Sequence, residues 1–451
     1  MAGRSPGAEA LEAGLPPIQN PPPAASLMRG LRRFLRFEAF GGILLVICAL
    51  IALAWANSPW REGYHALWQT RFTLALGGFE LSKPIILWIN DGLMAIFFFV
   101  VGLEIKREAL VGELASLRKA LLPVAAALGG MLVPALIYLA VAPNQPLAEA
   151  GWGVPMATDI AFALGVLLLL GRRVPISLKL FLTAVAIVDD IGAVLVIAIF
   201  YTRDIAWNYL ALGLLVLFAL RLLNRLQARH ALGYAILGAL LWLAILKSGV
   251  HATVAGVLVA MAIPVRRSLD SQDFLDRSRG ILDLFERSDT IDQRDAIREL
   301  EITCELAETP LARCEQALHP WVTYAILPLF ALANAGVSLD GGLAAPLLHP
   351  VSLAIVAGLV LGKPLGIMGA SFLAVRAGLT DLPREVSWRQ VLGVSCLAGI
   401  GFTMALFISG LAFAGSGFQD IAKVGIMAAS LISALLGVAV LIGLPQRPKP
   451  S

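Results

Sequence analysis

Ala186-Ile187-Val188-Asp189-Asp190-Ile191-Gly192 sets two adjacent carboxylates deep inside an apolar window, 180–202, that has no other charged residue. Whether that window lies in a soluble core or in a lipid bilayer decides the fold. The rest of the chain answers. Of its 451 residues 58% are hydrophobic and only 15% charged, and the mean hydropathy is +0.81. A soluble domain carries about 25% charged residues, so this composition excludes a soluble enzyme, a disordered chain and a nucleic-acid binder. The four cysteines, Cys48, Cys304, Cys314 and Cys396, have neither metal nor disulfide spacing.

Working outward from charge to charge gives twelve apolar windows: 39–60, 84–103, 120–148, 150–171, 180–202, 205–220, 231–246, 248–265, 316–339, 341–375, 390–419 and 424–446. About 20 apolar residues cross a bilayer as a helix. Most windows qualify outright; 205–220 and 231–246, with 16 residues each, need flanking arginines to snorkel. The sequence thus reads as an all-α polytopic membrane protein of about 12 transmembrane helices. With the N-terminus in the cytoplasm, 28 Lys and Arg fall on the cytoplasmic side and six on the other, Arg61, Arg71, Lys83, Arg203, Lys247 and Lys423. That asymmetry follows the positive-inside rule and puts both termini in the cytoplasm.

Between these spans the chain divides simply. Residues 1–35 read as a disordered cytoplasmic tail, rich at first in Pro, Ala and Gly, and 447–451 as a short second tail. A cleaved signal peptide is the competing reading of the start, but its apolar stretch is too long. Spans one to eight occupy 36–265 and spans nine to twelve 316–446. Near 71–84, on the periplasmic side, the alternation around Gly77-Gly78 predicts a β-hairpin. The charged cytoplasmic connector 266–315 carries Phe274, Leu275, Ile281, Leu282, Leu284 and Phe285 near helical spacing, which predicts a short amphipathic surface helix.

Asp91, Asp159, Asp189, Asp190 and Lys363 fall within or beside the spans. A charge at a helix centre costs about 2.5–3.5 kcal/mol on insertion scales, so the deep ones must face protein, water or one another. Ion pairs that merely fix helix registry are the bland reading; three deep acids against one base leave carboxylate in surplus. At about 4 Å and an effective dielectric of about 20, two carboxylates repel by roughly 4 kcal/mol, an upper bound for adjacent residues pointing about 100° apart. Such a pair holds protons and yields them to an arriving cation. Oxygen-only ligands suit a hard cation such as Na⁺.

Spans four and eleven also carry helix interruptions: Gly151, Gly153 and Pro155 before Thr158-Asp159, and Gly399-Ile400-Gly401. Each is the middle member of a triplet, spans 3–5 and 10–12. Matched interruptions point to inverted repeats with a binding site at the bilayer midplane. Broken helices leave partial charges in the membrane, which a carboxylate such as Asp159 and an ammonium such as Lys363 would offset.

These motifs resemble the NhaA family of bacterial sodium/proton antiporters: Ala157-Thr158-Asp159-Ile160-Ala161-Phe162-Ala163-Leu164-Gly165, the Asp189-Asp190 segment, Lys247-Ser248-Gly249-Val250-His251-Ala252-Thr253, Leu361-Gly362-Lys363-Pro364-Leu365-Gly366 and Gly399-Ile400-Gly401-Phe402-Thr403. Gly102-Leu103-Glu104-Ile105-Lys106-Arg107-Glu108 and Leu318-His319-Pro320-Trp321 join them, and the resemblance runs from about residue 35 to 445. It implies twelve helices with crossed broken helices four and eleven, and electrogenic, pH-regulated exchange of Na⁺ or Li⁺ for protons in the bacterial inner membrane. No cofactor is implied beyond these transported ions. By motif, Asp190 would be the main cation and proton carrier, with Asp189 either a second carrier or the salt-bridge mate of Lys363. Asp159 and Thr158 would shape or line the site, and Lys363 would balance charge or carry a proton. Glu104, Glu108, His251 and Glu315 would belong to a pH-sensing cytoplasmic funnel; a plain interfacial anchor and a packed histidine are the alternatives. The hairpin at 71–84 would join a homodimer. The connector 266–315 is longer than the family leads one to expect, so the funnel mouth is rebuilt there.

Two other classes compete. An intramembrane aspartyl protease also needs two membrane aspartates, but on facing helices. A sodium-coupled symporter of an organic anion would hold its substrate on Lys363, yet few other polar residues surround the motifs. A passive channel would have little use for titratable carboxylates at the midplane. The sequence therefore reads as a transporter and not an enzyme.

Overall fold

The computed structural model describes residues 38–443 except 78, 203, 227–230, 266–268, 288–289, 340–341 and 384–385. The tails read from sequence at 1–35 and 447–451 lie outside the described residues. Among those described, seven helices are long and apolar enough to cross a membrane, and ten spans result if each of three bent helix pairs counts as one. The chain is a multi-pass, helical membrane protein.

Helix α1 (Glu38–Ala56) is followed by α2 (Arg61–Gln69), bent from it by 114°. The amphipathic α2 buries Tyr64 and Trp68, and the Tyr64 hydroxyl donates to Leu332 O at 2.9 Å. Strands β1 (Arg71–Leu76) and β2 (Phe79–Pro84) then pair antiparallel, with Thr73 opposite Ser82. Gly77 at φ +58° supplies the left-handed turn that such a tight connection requires.

Helices α3 (Ile85–Leu110, with a π-helical turn at Trp88–Leu93) and α4 (Leu117–Val141) lead to a shorter pair, α5 (Pro146–Met156) and α6 (Ile160–Leu169), which meet at 42°. Then come α7 (Ile176–Phe200), α8 (Trp207–Arg225), α9 (Ala231–Ser248) and α10 (Thr253–Ala262). The windows that looked short, 205–220 and 231–246, become helices of 19 and 18 residues. A charged residue does not end a helix: α8 continues through Arg221 and Arg225 and α9 through Lys247, whose stems can lie along apolar surface. The window 248–265 errs the other way, with only ten helical residues, about 15 Å of rise. Gly249 at φ +88° reverses the chain before α10, and Pro264 follows just beyond its end.

The connector holds two helices, α11 (Ser271–Arg287) and α12 (Thr290–Ala307), where the sequence suggested one. They pack together, with Ile281, Ala296 and Thr303 buried and Arg277 3.7 Å from Glu299. Helix α13 spans 310–334 with a π-helical turn at Val322–Ile326; its start is capped by the Thr309 hydroxyl, which accepts from Ala312 N–H at 3.1 Å. After α14 (Ala344–Leu348) and α15 (Pro350–Arg376) comes the second short pair, α16 (Trp388–Ala398) and α17 (Phe402–Ala412), bent by 45°, and then α18 (Phe418–Ile442).

Small residues bring the central helices together. A side chain at Gly129 of α4 would strike Gly366 O of α15, and one at Gly366 would strike Gly129 O. This contact fixes α15, and with it Lys363, against α4.

Candidate cation and proton site

Helix α7 runs unbroken through Asp189 and Asp190, which are 1% and 2% exposed. Their side chains leave the helix about 100° apart and meet different company. Asp189 Oδ2 accepts from the ammonium of Lys363, itself wholly buried, and lies 2.7 Å from the Thr158 hydroxyl, which donates to it. Asp190 has no such partner among the described residues, and its Oδ1 is buried with no hydrogen bond. The charged groups acting on it are Asp189, Glu104, Asp159 and Lys363.

The short helix pairs meet beside this pair. After Met156 the chain leaves helical geometry over 157–159, and Asp159 caps the start of α6 by accepting from Phe162 N–H at 3.0 Å. Its other oxygen accepts from the N–H and the hydroxyl of Thr403, at 3.0 and 2.5 Å, in the first turn of α17. One carboxylate thus sits at two helix N-termini, where negative charge is favoured. The Asp159 N–H donates to Ile400 O at 2.7 Å, and the Thr158 hydroxyl lies 2.8 Å from Ala398 O, the last carbonyl of α16. A hydroxyl has one proton, so Thr158 serves either Ala398 O or Asp189 at a given moment. The crossing needs glycine for room: a Cβ at Gly399 would come within 2.5 Å of Leu359 O, and one at Gly401 within 3.2 Å of Ala157 O.

Lys363 follows a π-helical turn, Gly358–Gly362, that packs against Pro155 and Pro134. Its partner is the Asp189 carboxylate, whereas the sequence reading also had it offsetting the C-terminal ends of the broken helices. Asp159 takes the corresponding place at the N-terminal ends.

The four residues grouped as pH sensors do not form one cluster. Arg107 joins two of them, 2.8 Å from Glu315 and 3.4 Å from Glu108. Burial pushes the Glu315 carboxyl above its ordinary range; Arg107 pulls it back and Glu108 adds to the rise. Glu104, one turn before Glu108 on α3, acts on Asp190. His251 is elsewhere. Its Nε2 lies 3.7 Å from Asp91, which Lys83 of β2 holds at 2.7 Å, and its Nδ1 is 2.7 Å from the Thr253 hydroxyl. Asp91 and Glu104 are separated by roughly 20 Å along α3. His251 therefore belongs to the end of the molecule that carries the hairpin.

Three contributors escaped the sequence reading. Thr403 stood in a recognised motif without a role, because its partner is distant in sequence. Arg107 stood in a recognised motif without a role of its own, since nothing local paired it with Glu315. Lys106 donates to Met261 O and Ile263 O at 2.7 and 2.6 Å, closing the end of α10.

Two bent helix pairs that meet over buried carboxylates and one buried lysine define a class, ion-coupled membrane transporters. The family model described as Na⁺/H⁺ antiporter 1 matches residues 32–441. A protein of Oleidesulfovibrio alaskensis named Na(+)/H(+) antiporter NhaA is 53% identical over 425 residues, covering 92% of this chain and 94% of that one. Same-named proteins of Koribacter versatilis and Rhodospirillum rubrum are 50% and 47% identical, covering 93% and 92% of this chain and 92% and 97% of theirs. The chain belongs to the NhaA family of Na⁺/H⁺ antiporters.

Proposed function

We propose that the protein exchanges cytoplasmic Na⁺ or Li⁺ for external protons, electrogenically, at the Asp189–Asp190 pair. The observation that carries this reading is the contrast on α7: each aspartate has a buried oxygen without a hydrogen bond, but Asp189 is paired through its other oxygen with Lys363 and Thr158, whereas Asp190, equally buried, has no side-chain ion pair or hydrogen bond among the described residues. An ionised Asp190 would be an uncompensated charge out of water, so it needs a proton or a cation.

The cycle follows from that need. Loaded with protons or with Na⁺, the site can reorient across the membrane; the bare dianion is too costly to move. Na⁺ arriving at Asp190 also draws on Asp189, and the Thr158 hydroxyl and Ala398 O lie beside them as further oxygens. Two protons leave, one from Asp190 and one from the Asp189–Lys363 pair. The charge count is the same whether the second departs from Nζ or from the carboxyl. One positive charge exchanged for two makes the cycle electrogenic.

In this reading each short pair, α5–α6 and α16–α17, is one broken crossing, the fourth and eleventh of twelve in two inverted repeats. The charge bias supports an orientation with both termini in the cytoplasm, in a bacterial inner membrane. The Arg107, Glu108 and Glu315 cluster then faces the cytoplasm, where titration of Glu315 would regulate access by pH. The hairpin at 71–84 would pair with its copy in a homodimer, since an isolated hairpin is marginal in water.

Everted membrane vesicles holding a preformed pH gradient test the proposal. Na⁺ or Li⁺ should collapse the gradient, K⁺ should not, and Asp190→Asn should abolish the response. Cation flux without opposing proton movement would overturn antiport in favour of symport or conduction.

A further inference from the structure

On the surface from which α4 and α7 both start lies a cavity of about 410 Å³, away from the carboxylate site. Arg118 and Lys119 from α4, Ser177 from α7 and Thr380 from the loop after α15 line its polar side. Leu122, Phe181 and Ala184 line its apolar side. We infer that this cavity binds a phosphate ester, with the headgroup on the basic side and an apolar tail along Phe181.

Four observations point to an anion. Two long helices begin here, and neither start has a side-chain cap, since Ser116 makes no capping bond and Pro175 precedes α7. Uncapped N–H groups and the positive helix ends favour negative charge. Second, Thr380 is 7% exposed and its hydroxyl has no hydrogen-bond partner among the described residues. Third, Ser177 Oγ is buried and also unpartnered among them. A buried hydroxyl left this way, as at Ser177, bears a cost of about 1–3 kcal/mol until an acceptor arrives. Fourth, Asp381, the one acid among the described lining residues, meets Arg118 at 3.6 Å where both side chains are 86% exposed. Such a solvent-exposed pair is weak and yields readily to a stronger anion.

Position favours a membrane lipid as the source. The polar side of the cavity is where two membrane-length helices reach the bilayer surface, and its apolar side continues down them. A phosphate ester here would grip the start of α7, about 20 Å along the helix from Asp189. This site is independent of the transport reading.

The test uses the full-length protein purified in detergent. Retained phosphatidylglycerol is counted by native mass spectrometry after exposure to phosphatidylcholine vesicles with and without phosphatidylglycerol, and inorganic phosphate is titrated separately. Wild type should retain phosphatidylglycerol, Arg118→Gln with Lys119→Gln should weaken it about tenfold or more, and Thr380→Val and Ser177→Ala should each weaken it severalfold. The two hydroxyl variants matter most, because general attraction to a basic face would not register them. Arg376→Gln, a basic residue not lining the cavity, should leave retention unchanged. Phosphate binding that is lost in the same variants, without lipid retention, would keep the anion site and make its source soluble. Equal retention by wild type and all cavity variants, or no binding of either probe, would overturn it.

Discussion

Asp159 and Asp190 are equally buried, each 2% exposed, yet they live in opposite circumstances. Asp159 accepts from Phe162 N–H and twice from Thr403, so both of its oxygens are engaged by two helix starts. Asp190 sits one helix away with an oxygen that nothing engages among the described residues. Several donors and two helix ends offset part of the cost of keeping a carboxylate charged out of water. One without them must hand its charge to something mobile. The first geometry suits a hinge pin and the second a carrier, although residue type and depth make them look alike in sequence.

That contrast breaks most visibly at Asp190, the proposed carrier. Asp190→Asn should eliminate cation-driven proton movement while the protein still inserts and stays monodisperse by size-exclusion chromatography. If Asp159→Asn proves as complete a loss and Asp190→Asn is tolerated, the roles have been assigned backwards. Next in size is the Asp189–Lys363 pair. Lys363→Met strands a buried carboxylate and should cost about 3–5 kcal/mol, read as a lowered thermal midpoint. Adding Asp189→Asn should recover much of that loss, because the uncompensated charge goes with it. A double variant no more stable than the single would show that the pair is not the source.

At the hinge pin the expected effects are smaller. Thr403→Val removes one donor of three from Asp159 and should cost about 1–3 kcal/mol. Exchange should slow severalfold without vanishing, and Thr403→Ser should behave like wild type. Full loss of exchange in the valine variant would place Thr403 among the cation ligands. The least effect belongs to Glu315, whose carboxyl burial holds above its ordinary range. A raised carboxyl contributes stability below the unfolded value, and that contribution is lost as pH rises through the folded one. Thermal midpoints should therefore fall through the weakly acidic range in wild type and less so in Glu315→Gln. Arg107, at 2.8 Å, and Glu108 face the same group, and a slope that survives unchanged in Glu315→Gln would show that this carboxyl is not its source.

The sequence made the deep charges legible because a bilayer makes them expensive; Asp159, Asp189, Asp190 and Lys363 needed only depth to be found. It could not show which acid is satisfied, since the donors to Asp159 come from Thr403, 244 positions away. His251 was grouped with Glu104, Glu108 and Glu315 by resemblance, and geometry sends it to Asp91 at the other end of α3. Helix lengths failed where charge was taken as a boundary, as in α8 and α9, and where a glycine reversal hid inside an apolar run, as before α10. In the connector, α11 announced itself by its apolar stripe. Its partner α12 did not, because charged residues crowd the few apolar ones that seal against α11.

The most direct measurement is the number of protons released per Na⁺ bound by the purified protein in weakly buffered solution. Two protons per Na⁺ in wild type, with release lost in Asp190→Asn, is the result this account predicts. A single proton per Na⁺, or release that persists unchanged in Asp190→Asn, would contradict exchange at the Asp189–Asp190 pair.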